Sequence, residues 1–241
     1  MKKLLALTVI ATLASVAQAA HAETAQEAAV RKLIQPRVPA AIDSVTKTPY
    51  LGLFEVRTGT EVVYTDAGGK YIFMGSIVDS KTAHDYTRAR VDDLSRIRFA
   101  DLPLQLALKQ VKGTGERQIA IFEDPNCGYC KRLRETLQGL DNVTLYTFMY
   151  NILSDESAAI SKNIWCASDP AKAWDDWMLN AKAVPTAPLG CQSPNDKVFA
   201  LGQKLKINGT PTLFFADGSR VPGAIDVLTL EAKLTTAKAV R

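Results

Sequence analysis

Residues Ile119–Cys130 read IAIFEDPNCGYC. An apolar, strand-like run ends in a short loop, and the loop ends in Cys127-Gly128-Tyr129-Cys130. A helical pattern follows at once, with Leu133, Leu137 and Leu140 on one face and Asn126 as the expected N-cap. A helix begins with four backbone N–H groups that lack intrahelical partners, and its macrodipole places partial positive charge at that end. A thiolate there is stabilised, so the sequence predicts a Cys127 pKa well below that of a free cysteine. Cys130, one turn on, is placed to attack a mixed disulfide formed at Cys127. A Cys-x-x-Cys pair alone is shared by metal and redox sites. The strand before it and the helix after it favour redox chemistry. In the spacer, Gly128 leaves the helix start accessible, and Tyr129 brings a hydroxyl and an aromatic edge.

The N-terminus points to export. Lys2 and Lys3 precede an apolar stretch from Leu4 to Val16, and Ala20-His21-Ala22 has the small-x-small form of a signal peptidase site. Residues 1–22 are expected to be a cleaved signal peptide, with a cut after Ala19 as the weaker alternative. No later segment approaches the roughly 20 apolar residues of a membrane span, so membrane insertion of the mature chain is not expected. Removing residues 1–22 takes two lysines and no acids, which lowers the formal charge from +4 to +2. That balance gives no basis for nucleic-acid binding.

The chain has four cysteines, which in an exported protein suggest disulfides. They form two unlike pairs, Cys127 with Cys130 and Cys166 with Cys191. Zinc is the rival for such a set, but Cys166 and Cys191 make no second knuckle, and His84 is the one histidine left after processing. No metal or other cofactor is expected. The simpler reading is a structural Cys166–Cys191 disulfide, whose loop of that length is worth about 3.5 kcal/mol in chain entropy.

Around these motifs the chain divides into segments. Residues 23–87 read as a small α+β domain, which on its own is marginal by surface-to-volume scaling. A short helix over 23–35 is expected to bury Ala28, Val30, Leu33 and Ile34. Three strands follow over Tyr50–Arg57, Thr60–Asp66 and Lys70–Asp79, joined at Thr58-Gly59 and Ala67-Gly68-Gly69. Residues 88–115 read as a helical linker: Val91–Val111 has helical spacing, with a kink at Leu102-Pro103, and Lys112-Gly113-Thr114-Gly115 marks its end. Residues 116–241 are expected to carry a thioredoxin fold. Its βαβ half has strands Gln118–Glu123 and Asn142–Tyr150. A helical insert opens at Ser154, Asp169-Pro170 and Ser193-Pro194, with Trp165, Trp174 and Trp177 in its core. Its ββα half has strands Thr212–Ala216 and Ser219–Pro222 and a helix Asp226–Lys238.

Gly209-Thr210-Pro211-Thr212 is the second informative motif. A proline lacks a ladder donor and is unusual directly before a central strand. Either it is a simple strand-starting turn, or Thr210–Pro211 is a cis bond packed against the cysteine pair, with the Thr210 backbone free to pair with a substrate strand. Glu123 and Asp124 precede the motif. Their expected place is a solvated loop or a cap, and the alternative is proton transfer with Cys130.

Cys127-Gly128-Tyr129-Cys130, Thr210-Pro211, Ile164-Trp165-Cys166-Ala167 with Cys191 downstream, and Val221-Pro222-Gly223 together resemble the bacterial periplasmic disulfide isomerases of the DsbC/DsbG family. The resemblance covers nearly the whole mature chain, in layout more than in residues over its N-terminal half. It implies a cystatin-like N-terminal dimerisation domain and a V-shaped homodimer with two thioredoxin-fold domains facing a cleft. It further implies a site kept reduced by the membrane reductase DsbD, misfolded disulfide-containing exported proteins as substrates, and chaperone activity. Two other readings compete. A DsbG-like redox chaperone or sulfenate reductase is associated with a Pro-Tyr spacer, and the commonest oxidase with Pro-His, whereas Gly128 stands here. A holding chaperone with incidental thiols would keep its activity without Cys127.

Overall fold

The computed structural model describes residues 22–237. Of the expected signal peptide, residues 1–21 lie outside the described residues. The chain divides between Ser76 and Ile77 into two compact units.

In the first unit, α1 (Ala25–Ile34) opens with a reciprocal cap: Thr24 Oγ1 accepts from Glu27 N, and Glu27 Oε2 accepts from Thr24 N at 2.8 Å. The other Glu27 oxygen accepts from Lys47 N at 2.9 Å, which ties the helix to the sheet. Glu27, Val30 and Ile34 form the buried stripe, while Ala28 and Leu33 are exposed, contrary to expectation. Ten residues present one narrow face, and those two positions fall beside it. The sheet is an antiparallel meander of β1 (Ser44–Lys47), β2 (Phe54–Thr58), β3 (Glu61–Thr65) and β4 (Ile72–Phe73). Strand β1 was not expected, and the third expected strand shrinks to two residues. Val45, Phe54 and Val56 close over Val30 and Ile34.

The second unit corrects the expected linker. Helix α2 covers Tyr86–Leu94 only; 3-10 turns follow at Phe99–Asp101 and Leu104–Leu106, and Leu108–Lys112 is a strand, β5. Pro103 has no N–H and disfavours a helical residue before it, so the apolar spacing there is served by turns. Residues 112–115 are then a turn inside this unit rather than a boundary; Gly113 and Gly115 both have positive φ, +55° and +68°.

After β5 come β6 (Arg117–Glu123), α3 (Gly128–Gln138), β7 (Val143–Met149), α4 (Asp155–Trp165), α5 (Pro170–Asn180), α6 (Asn195–Lys204), β8 (Thr212–Phe215), β9 (Arg220–Pro222) and α7 (Val227–Thr236). The sheet order is β5-β7-β6-β8-β9, with β6 parallel to β7 and every other pair antiparallel. Alternation along β6 divides the core. Ile119 and Ile121 face Leu133 and Leu137 of α3 and Leu230 and Leu234 of α7. Ala120 and Phe122 face Phe148, Tyr150, Phe214 and Val198 of α6, with Phe122 and Phe148 stacked at 4.6 Å. Each such side chain contributes about 1.5–3 kcal/mol when fully buried. A third cluster joins Cys127 and Cys130 to Trp174, Ile160, Ile164 and Met178 of the insert, with Trp165 and Trp177 packed on it.

Candidate active site

Cys127 is itself the N-cap of α3, in place of the expected Asn126. Its Sγ accepts from Cys130 N at 3.2 Å, its N–H donates to Asp124 O at 3.0 Å, and its carbonyl accepts from Lys131 N at 3.1 Å. A sulfur thus occupies the position where a capping oxygen satisfies an orphan donor. Asn126 instead donates from Nδ2 to Ser154 and Ser157 Oγ, both at 3.1 Å, bracing the loop against α4.

The two thiols, both free, differ in kind. Both are buried, but Cys127 retains 4% exposure and Cys130 none, so of the two only Cys127 touches solvent. The Cys127 pKa is held down to about 6, chiefly by the hydrogen bond with the Cys130 thiol and further by the backbone N–H groups of Cys130 and Tyr129, against burial. Burial pushes the Cys130 thiol strongly up, and its bond to Cys127 and the charge of Glu123 add to that.

Thr210–Pro211 is cis. The Cys127 thiol donates to Thr210 O at 3.3 Å, so residues 83 apart in sequence meet at the reactive sulfur. Gly128 opens α3 with open space where a side chain would stand, and Tyr129 is 60% exposed. Cys166 and Cys191 are bonded, with Cα atoms 6.3 Å apart, joining the end of α4 to the loop between α5 and α6.

The acids before the motif take different places. Asp124 is neither solvated nor a helix cap; it is buried and ties two loops together, Oδ1 accepting from Asn126 N and Ser157 Oγ and Oδ2 from Ile152 N and Leu153 N, all within 3.0 Å. Glu123 is neither solvated nor a cap. It is fully buried and pairs with Arg134, an equally buried guanidinium that also reaches Gln110, Thr147 and the ring of Trp174. Burial pushes the Glu123 carboxyl up, and Arg134 opposes it. Sequence reasoning missed Arg134; its one signal is a place on α3 one turn beyond Cys130. Trp177 was also missed as a brace: its Nε1 donates to Pro125 O at 2.8 Å. Among the described residues no three His, Cys, Asp or Glu side chains converge on a metal-sized site.

A dithiol with one acidified sulfur that touches solvent and one fully buried sulfur can exchange disulfides. Residues 104–238 match a thioredoxin-like domain family, and residues 21–88 match the disulfide bond isomerase protein N-terminal domain. The probable thiol:disulfide interchange protein DsbC of Bordetella pertussis is 51% identical over 193 residues, which is 80% of this chain and 68% of that protein. The chain belongs to the DsbC family. The Bordetella avium relative is 49% identical over 86% of this chain and 74% of its own length. The Escherichia coli thiol:disulfide interchange protein DsbC is 29% identical over 83% of each chain. Among solved structures, a disulfide interchange protein from Neisseria gonorrhoeae aligns with a TM-score of 0.53 and 35% identity, over 58% of this chain and all of that one. Membership of the DsbC family makes this a thiol-disulfide oxidoreductase and isomerase, with a thioredoxin fold beside a DsbC-type N-terminal domain.

Proposed function

We propose that Cys127 and Cys130 form a reduced dithiol that repairs incorrect disulfides in exported proteins. The observation that carries this reading is the contrast between the two sulfurs: Cys127 is acidified to about 6 at the cap of α3, and Cys130 is buried and held protonated. The Cys127 thiolate attacks one sulfur of a substrate disulfide, forming the Cys127–substrate bond and releasing the other substrate sulfur as a thiolate. A substrate thiolate then attacks the bridging substrate sulfur and frees Cys127, a rearrangement with no net redox change. Alternatively Cys130 loses its proton and attacks Cys127 Sγ. The substrate leaves as a dithiol, and the two electrons it gains leave a Cys127–Cys130 disulfide. High Cys130 pKa slows this second route and gives the substrate time to rearrange.

The Thr210 carbonyl, 3.3 Å from Cys127 Sγ, is the backbone group that an extended substrate segment would meet at the thiol. Gly128 keeps that approach open. The export pattern of residues 1–22 supports a periplasmic location, where the membrane reductase DsbD would keep the pair reduced. Exposed Tyr71, Ile72, Phe73 and Met74 around the edge strand β4 support a homodimer through the first unit, and chaperone activity on unfolded chains belongs to the same proposal.

Trapping tests the reading. The Cys130→Ser protein should accumulate a substrate mixed disulfide at Cys127, stable to gel electrophoresis and cleaved by dithiothreitol. Equal trapping by Cys127→Ser at position 130 would refute it.

A further inference from the structure

Two cations, Lys131 and Arg132, follow the Cys-x-x-Cys directly on α3, each held on an aromatic face. The Arg132 guanidinium lies 4.5 Å from the ring centroid of Tyr129, the spacer residue. The Lys131 ammonium lies 5.6 Å from that of Trp177, whose indole N–H is bonded to Pro125 in the loop leading to Cys127. Both aromatics are therefore fastened to the segment that carries the sulfur. Cation–π contact holds a long side chain in place without cancelling its charge.

Neither cation has a carboxylate partner among the described residues. Glu135 is one turn further along α3, and Asp155 and Glu156 open α4, which Asn126 braces against the active-site loop. None of these acids pairs with Lys131 or Arg132, and Glu123 and Asp124 are already engaged with Arg134 and with four donors respectively. Positive charge near a helix N-terminus also opposes the helix dipole. Two unpaired cations kept there leave a local field that an anionic partner would relieve.

We propose that Lys131 and Arg132 form a cationic rim that selects substrate disulfides flanked by acidic residues. The rim would hold the carboxylates of an incoming acidic peptide next to the loop that carries Cys127, raising the encounter rate. It rests on the reading of Cys127 as the attacking thiol.

The test uses the reduced mature protein and symmetric peptide disulfides of one length, in which each cysteine is flanked by Glu, Gln or Lys. Each reaction turns one peptide disulfide into two peptide thiols and leaves one Cys127–Cys130 disulfide, so electrons and protons balance. Released peptide thiol is measured by chromatography. Each rate is divided by that of the same peptide with dithiothreitol, which removes the effect of flanking charge on the leaving thiol. At low salt the Glu peptide should react roughly tenfold faster than the Lys peptide, with Gln between, and the ratio should shrink toward one at 0.5 M salt. In the protein carrying both Lys131→Gln and Arg132→Gln, the ratio should collapse at low salt. Equal normalised rates in the wild type, or an unchanged ratio in the double variant, would overturn the proposal. Peptide reduction by Cys127→Ser at the wild-type rate would instead overturn the underlying assignment of the thiol.

Discussion

Arg134 donates to Glu123 from both Nε, at 2.9 Å, and Nη2, at 2.5 Å, and both bonds end on one carboxylate oxygen, Oε2. The other oxygen, Oε1, is buried without a hydrogen-bond partner. One guanidinium therefore anchors a charge beneath the cysteine pair while satisfying half of it. Taking two charges out of water costs several kcal/mol per ion, and their attraction offsets this only while both are present.

Glu123→Ala should accordingly destabilise the protein by about 3–5 kcal/mol, because it leaves the buried Arg134 with the partly exposed Asp175, 3.5 Å away, as its one carboxylate partner among the described residues. The combined Glu123→Leu and Arg134→Met replacement should recover at least half of that loss. Urea denaturation midpoints of the oxidised proteins measure both. A double variant as unstable as Glu123→Ala would show that the pair is not the unit at stake.

Alkylation of the reduced protein by neutral iodoacetamide should follow a titration near pH 6 and modify Cys127 alone, leaving Cys130 unmodified through neutral pH. The folded pKa of Cys127 lies below the unfolded thiol value of about 8.5. Its stabilising contribution to the reduced protein is therefore fully present above that value and lost as pH falls through about 6. The stability difference between reduced wild type and Cys127→Ser should thus grow from pH 5 to pH 9. A flat difference would contradict the assignment.

Much of the catalytic unit was legible because its signals are local. A strand, a Cys-x-x-Cys and an amphipathic helix follow one another between Arg117 and Gln138, and Thr210-Pro211 and the Cys166, Cys191 pair are visible as residue types. What escaped depends on distant partners. Strand β5 has the apolar spacing of a helix, and its pairing with β7 from Leu108↔Thr147 to Lys112↔Val143 decides otherwise. Strand β1, SVTK, has no alternation to distinguish it and exists through β2. Arg134 reads as a surface residue until Glu123 is brought beneath it. The Cys127 cap was missed because a sulfur is an uncommon acceptor there, and Asn126 looked chemically better suited.

The Cys166–Cys191 bond should survive mild reduction that leaves Cys127 and Cys130 as thiols, and mass mapping of the alkylated protein will reveal it. Replacing both residues by Ser should cost about 3.5 kcal/mol, the loop-closure entropy of a chain segment of this length. A loss below about 1 kcal/mol would mean that the helices hold that loop unaided.

Assembly follows from the first unit. Strand β4 is short and at an edge, Phe73 and Met74 are 47% and 84% exposed, and a two-fold contact would cover this surface with its own copy. Sedimentation of the mature protein at micromolar concentration should report a dimer, and Ile72→Lys with Phe73→Lys should report a monomer. A monomeric wild type would remove the dimer from the account.

Refolding of a scrambled multi-disulfide protein tests the central claim most directly. Catalytic amounts of the reduced protein should restore native activity to the scrambled substrate. Cys127→Ser should restore none above the uncatalysed rate, and Cys130→Ser should retain early rearrangement before stalling as a mixed disulfide. Restoration by Cys127→Ser at the wild-type rate would contradict the account.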